Sequence, residues 1–179
     1  MQNGGVVRAQ TEGDGSKIIN CDGSMSLLAG ELTGIATGGI NKADTTASAG
    51  VKCVGDIIIK GGSLSVKCTG EGAKAINCDS NVTIDGGSIT LIADGENYYD
   101  NVDNKKTRAI TCTILTVNEG TLVASSSKDI AISSDLFILN GGITKALSPN
   151  SISPLNSELD INGGWLMLKC FTQGYPDIP

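Results

Sequence analysis

A two-residue turn signal recurs along the whole chain: Gly4-Gly5, Ala29-Gly30, Gly61-Gly62, Gly86-Gly87, Glu119-Gly120, Gly141-Gly142 and Gly163-Gly164. Between the second residues the separations are 25, 32, 25, 33, 22 and 22, a base period of 22 residues with insertions. Apolar residues alternate on both sides of each signal. Val82 and Ile84 precede Gly87 while Ile89, Leu91 and Ala93 follow it; one copy earlier, Ile57 and Ile59 precede Gly62 while Leu64, Val66 and Cys68 follow. That alternation is the period of a half-buried strand, and it excludes a helical solenoid, whose repeats carry a period of 3.6. A coil that cannot bury its own inner face must stack on its neighbours. The expected fold is all-β, a right-handed parallel β-helix (solenoid) of about seven coils with a 22-residue base repeat, filling residues 1–179 as one domain. One copy departs: Phe137 and Leu139 keep their places before Gly142, but Thr144 falls on an inward site, which predicts a strand slipped by one residue.

A second ladder supports the register. Cys21, Cys53 and Cys78 each stand nine residues before a signal and Cys112 is one residue off, so these residues form one column. The column reads as buried free thiols acting as small hydrophobes, with a disulfide between adjacent coils also within geometric reach. No C-x-x-C pair points to zinc.

Composition removes several function classes. The chain has no histidine, which excludes Ser-His-Asp and Cys-His catalysis and His-ligated metals. Its net charge is −6 and its longest basic run is Lys105-Lys106, so no nucleic-acid partner is expected. No apolar stretch approaches the roughly 18 to 20 residues of a membrane span.

The insertions fall at one corner of the coil, in residues 12–16, 38–49, 69–72 and 94–107, and insertions confined to one edge of a solenoid commonly form its binding face. Glu12, Asp14, Glu71, Asp94, Glu96, Asp100 and Asp103 lie there, with Asp44 alongside and Asn97, Asn101 and Asn104 adding oxygens. Such groups suit calcium, which takes carboxylate, amide and carbonyl oxygens; the other reading is a solvated polar edge. Beside this edge stand Lys17, Lys52, Lys74 and Arg108, an approximate column that either pairs with the carboxylates or meets an acidic polymer. Tyr98 and Tyr99 in the longest insertion can pack against a sugar face. Trp165, beside the last signal, reads as a cover for the end of the rod.

Residues 50–66 (GVKCVGDIIIKGGSLSV) and 81–91 (NVTIDGGSITL) resemble the bacterial carbohydrate-binding parallel β-helix proteins, related in fold to pectate lyases. Glu12-Gly13-Asp14-Gly15-Ser16-Lys17 looks like that family's acidic-glycine-lysine turn, repeated more loosely as Glu71-Gly72-Ala73-Lys74. The resemblance implies an exported, cell-surface, non-catalytic protein that binds acidic polysaccharide such as polygalacturonate, with calcium held between coils. The enzyme alternative is a pectate-lyase-like elimination, for which Arg108 beside Asp94, Asp100 and Asp103 is the one candidate set. The structural alternative is a stalk segment of an adhesin. The chain closes on Tyr175-Pro176-Asp177-Ile178-Pro179 with no capping helix, so flanking domains or end-to-end association are expected.

Overall fold

The computed structural model describes residues 1–100, 103–150 and 152–171. Asn101 and the closing residues 175–179, raised by the sequence, lie outside them.

Among the described residues there is no helix, and sixteen strands are joined into one network of parallel ladders. The ladders form three columns, compatible with a β-solenoid. In the first, Lys17–Cys21, Ala49–Cys53, Lys74–Cys78 and Arg108–Thr111 lie side by side, followed by the start of Ile132–Leu139 and then of Leu155–Ile161. The second holds residues 25–27 of Met25–Ala36, then Ile57–Ile59, Val82–Ile84 and Ile114–Val117, and the second halves of Ile132–Leu139 and Leu155–Ile161. The third stacks Gln2–Thr11, residues 31–36, Ser63–Cys68, Ser88–Ala93, Thr121–Ser126, Ile143–Pro149 and Trp165–Phe171.

Each column is built from like residues at like positions. Ile19, Val51, Ile76, Ile110, Ile132 and Leu155 form one inward row; Met25, Ile57, Val82, Leu115 and Phe137 form another. These rows supply the core, in which Phe137 is the largest fully buried side chain. β-branched and leucine side chains suit a pleated, half-buried surface, and each one fully buried contributes about 1.5–3 kcal/mol.

The turn signals have a common cause. The second residue of every signal has a left-handed φ, for example +78° at Gly62 and +88° at Gly87. A Cβ on Gly87 would stand 2.7 Å from the carbonyl oxygen of Gly62 one level below. Both the backbone angle and the stacking distance therefore require glycine.

The predicted slip at Thr144 does not occur. Ile143 pairs with Thr121 and Thr144 with Leu122, in line with the neighbouring strands. A slip would turn Ala146 and Ser148 outward together, so the register holds and the Thr144 hydroxyl is buried instead, without a hydrogen-bond partner among the described residues. The thiol column also holds: Cys21, Cys53 and Cys78 are in register, and the pairing of Thr111 with Asn77 carries Cys112 to the same level. All six cysteines are free.

Candidate functional site

Two of the insertions fold as hairpins at one corner. The first pairs Ile40–Asn41 with Thr46–Ala47, and the second pairs Tyr98–Tyr99 with Asn104–Lys105. Each is seated on one of the acidic-glycine turns. Gly15 and Gly72 have left-handed φ values of 71° and 67°, and a Cβ would meet Asn41 at 2.9 Å in the first case and Lys105 at 2.7 Å in the second. The acids of these turns act locally: Asp14 Oδ1 accepts a 2.8 Å bond from the amide of Gly39, which starts the first hairpin's arm.

A cleft of about 280 Å³ opens between the hairpins and the first strand column. Lys17, Lys52, Lys74 and Lys105 line it, together with residues 44–47 of the first hairpin and Asn77. Three of the four basic residues singled out from the sequence share one level of the ladder, Lys17, Lys74 and Arg108, with Ala49 between the first two. Lys52 stands three residues further along, beside Asn20 and Asn77, yet its side chain reaches the same cleft. Lys105 was not singled out, because its place depends on how the second hairpin folds back.

Most of these cations have a partner. Lys17 Nζ donates to the carbonyl of Gly15 at 2.6 Å, Lys52 pairs with Asp79, and Lys105 pairs with Asp103 at 2.6 Å. Arg108 faces the other side of the second hairpin: its Nε donates to Asp129 Oδ1 at 3.2 Å and its Nη1 to Ser133 Oγ at 3.0 Å. Of the set considered for elimination, Arg108 is held by Asp129, Asp94 pairs with Lys67 and Asp103 with Lys105. Asp129 escaped the sequence reading because it belongs to a coil without an insertion, where nothing marks an edge acid as a partner for an arginine one level away.

Burial, outweighing Asp44, holds the Lys17 ammonium below the usual lysine range. Lys74 is pushed down to about 8, first by burial and then by Arg108, Lys105 and Lys52.

Tyr98 and Lys105 are cross-strand partners and share one face of the hairpin. The Tyr98 hydroxyl donates to Asp100 Oδ2 at 2.6 Å, which raises its pKa. Tyr99 lies on the other face, half exposed, with Lys106 Nζ donating to its hydroxyl at 2.6 Å and lowering its pKa. Only Tyr98 is therefore on the same side of the hairpin as Lys105.

Most of the acids expected to hold calcium have separate partners, while Asp14 and Glu71 both adjoin Gly39. Glu12 accepts from Gln10 at 2.8 Å, Asp94 pairs with Lys67 at 3.6 Å, and Glu96 pairs with Lys128 at 2.7 Å. Asp100 accepts from Tyr98 and from the amide of Asp103, while Glu71 lies near Gly39. Among the described residues no group of three or more His, Cys, Asp or Glu side chains converges as a metal centre does.

What the corner offers chemically is a pocket of ammonium groups in an otherwise acidic protein, with Tyr98 on the Lys105 face of the adjoining hairpin. Among the described residues no helix is long and apolar enough to cross a membrane. Residues 4–151, which include both hairpins and the cleft, match the family described as carbohydrate-binding domain-containing protein. No curated protein and no solved structure matches the chain. That family fits a non-catalytic role, and the match spans most of the sequence. The chain therefore belongs to the carbohydrate-binding domain-containing protein family.

Proposed function

We propose that the protein binds an acidic polysaccharide of the polygalacturonate kind at the corner between its hairpins, without catalysis, outside the cell or at its surface. The observation that carries this reading is the convergence of Lys17, Lys52, Lys74 and Lys105 on one cleft of a chain whose net charge is −6. Ammonium groups in a partly desolvated cleft favour carboxylates over neutral sugars. Lys17 and Lys74 stand two ladder steps apart, roughly 10 Å, a spacing on which successive acidic groups of a polymer can rest. Tyr98, on the Lys105 face of its hairpin, supplies a ring for the sugar. The scaffold in this reading is the right-handed parallel β-helix of about seven coils, presented as a surface adhesion module.

Calcium enters only as an additional bridge between the polymer and edge acids such as Asp14 and Glu71, and the lysine contacts do not require it. Calorimetric titration with polygalacturonate, in calcium and again in chelator, with absorbance followed for unsaturated products, tests the proposal. Binding that persists in chelator, releases no product and weakens about tenfold in Lys17→Ala or Lys105→Ala supports it. Equal binding of a neutral polymer, or binding untouched by both substitutions, removes the lysine cleft from the reading.

A further inference from the structure

Lys74 lines the cleft, and it differs from the other three lysines. Its strand is held on both sides. The amide of Lys74 donates to Ser48 at 3.3 Å and its carbonyl accepts from Cys68 Sγ at 3.3 Å. The next two residues, Ala75 and Ile76, are fully buried. The side chain is mostly buried as well, yet among the described residues its ammonium has no hydrogen-bond or ion-pair partner, while Lys17, Lys52 and Lys105 each have one.

Charged groups approach from every packed element. Lys17, Lys52 and Arg108 come from the neighbouring strands, Lys105 and Asp103 from the second hairpin, and Asp44 from the first. Of the carboxylates that could balance these cations, Asp103 is already engaged with Lys105, and Asp129 with Arg108. Asp44 is turned to its own hairpin, where its Oδ1 accepts from the amide of Thr46 at 2.9 Å. The cleft therefore holds more positive charge than it compensates, and Lys74 bears the consequence.

We infer that this cleft is a subsite for one compact oxyanion, a uronate carboxylate in the reading above, and that the anion enters together with a proton taken up on Lys74. The identity of the anion rests on that reading; the subsite rests on the cleft and its uncompensated lysines. A carboxylate beside the ammonium favours its charged form and offsets the burial that opposes it. Below about 8, where burial and the neighbouring cations have pushed Lys74, the proton is already present and affinity is flat. Above that value the proton must be acquired on binding, so affinity falls as pH rises.

The test titrates the intact protein with sodium galacturonate, sodium sulfate and galactose between pH 6.5 and 9.5, in two buffers of unlike ionisation heat. Galacturonate affinity is expected to fall by at least about tenfold from pH 7 to pH 9.5, with protons taken up near pH 8. Lys74→Arg, whose guanidinium does not titrate, keeps the anion and loses most of this dependence. Lys17→Arg/Lys74→Arg, in which both ladder-level lysines of the cleft are replaced by a group that does not titrate, is flat. Lys74→Met binds weakly at every pH, with circular dichroism showing that it folds. Sulfate bound with the same proton uptake also supports the subsite and widens it to oxyanions in general. Wild-type affinity unchanged to pH 9.5, undiminished pH dependence in the double arginine variant, or galactose bound as tightly as galacturonate overturns the inference. Polygalacturonate that binds without proton linkage sinks this inference and leaves the proposed function standing; galacturonate that binds with it while the polymer does not has the reverse effect.

Discussion

At Thr144 a hydroxyl sits in a row whose other inward members include Leu64, Ile89 and Leu122, and among the described residues it finds no partner. An unpaired buried hydroxyl costs about 1–3 kcal/mol, whereas a methyl of the same shape costs nothing in desolvation. Thr144→Val is therefore expected to stabilise the fold, raising the melting temperature by about 2–4 °C, read by calorimetry or circular dichroism. A fall of similar size would mean that the hydroxyl has a partner. At this scale the sequence was legible in part. It placed Thr144 inward, but it took the polar residue as a sign of slippage, because a single hydroxyl weighs less than the register of a whole strand and only the paired strands display that balance. Arg108 and Asp129 teach the complementary lesson: the arginine was visible as a candidate, while its partner was decided by the next level of the stack.

Among the elements, the glycine turns and the two hairpins carry the design. Gly87→Ala places a Cβ 2.7 Å from the Gly62 carbonyl in a left-handed backbone, and a loss of about 1–3 kcal/mol is expected in denaturant unfolding. Gly23→Ala is the control, since a Cβ there meets nothing within 4 Å and φ is not left-handed; its change should stay within about 0.5 kcal/mol. Equal effects at the two sites would refute the turn argument. The turns were legible because a left-handed φ is a local demand with a local residue. The hairpins were legible only as insertions: residues 38–49 and 94–107 announce extra length and polarity, but no alternation inside them specifies which face of Tyr98–Tyr99 meets the lysines.

For the whole molecule, burial follows position along the stack. Cys53, Cys68 and Cys112 lie within it, and burial pushes their thiols up to about 11, 12 and 12. Cys170 lies exposed on Trp165–Phe171, where Trp165 is half exposed and Leu168 is also open to solvent. A thiol-specific reagent at pH 8 should label Cys170 first and Cys21 next, with Cys53, Cys68, Cys78 and Cys112 reacting only in denaturant, as mapped by peptide mass. Rapid native labelling of the inner four would show that the stack is open. The alternation and the glycine spacing, properties of neighbouring residues along the chain, were enough to determine inward rows, turns and the corner that receives the insertions. Tertiary structure alone decided that Lys105 joins Lys17, Lys52 and Lys74, that Arg108 goes to Asp129, and that most of the edge acids take separate partners. Side chains from different coils and hairpins meet through the seating of each hairpin on its glycine turn, and that contact has no period for a sequence to display.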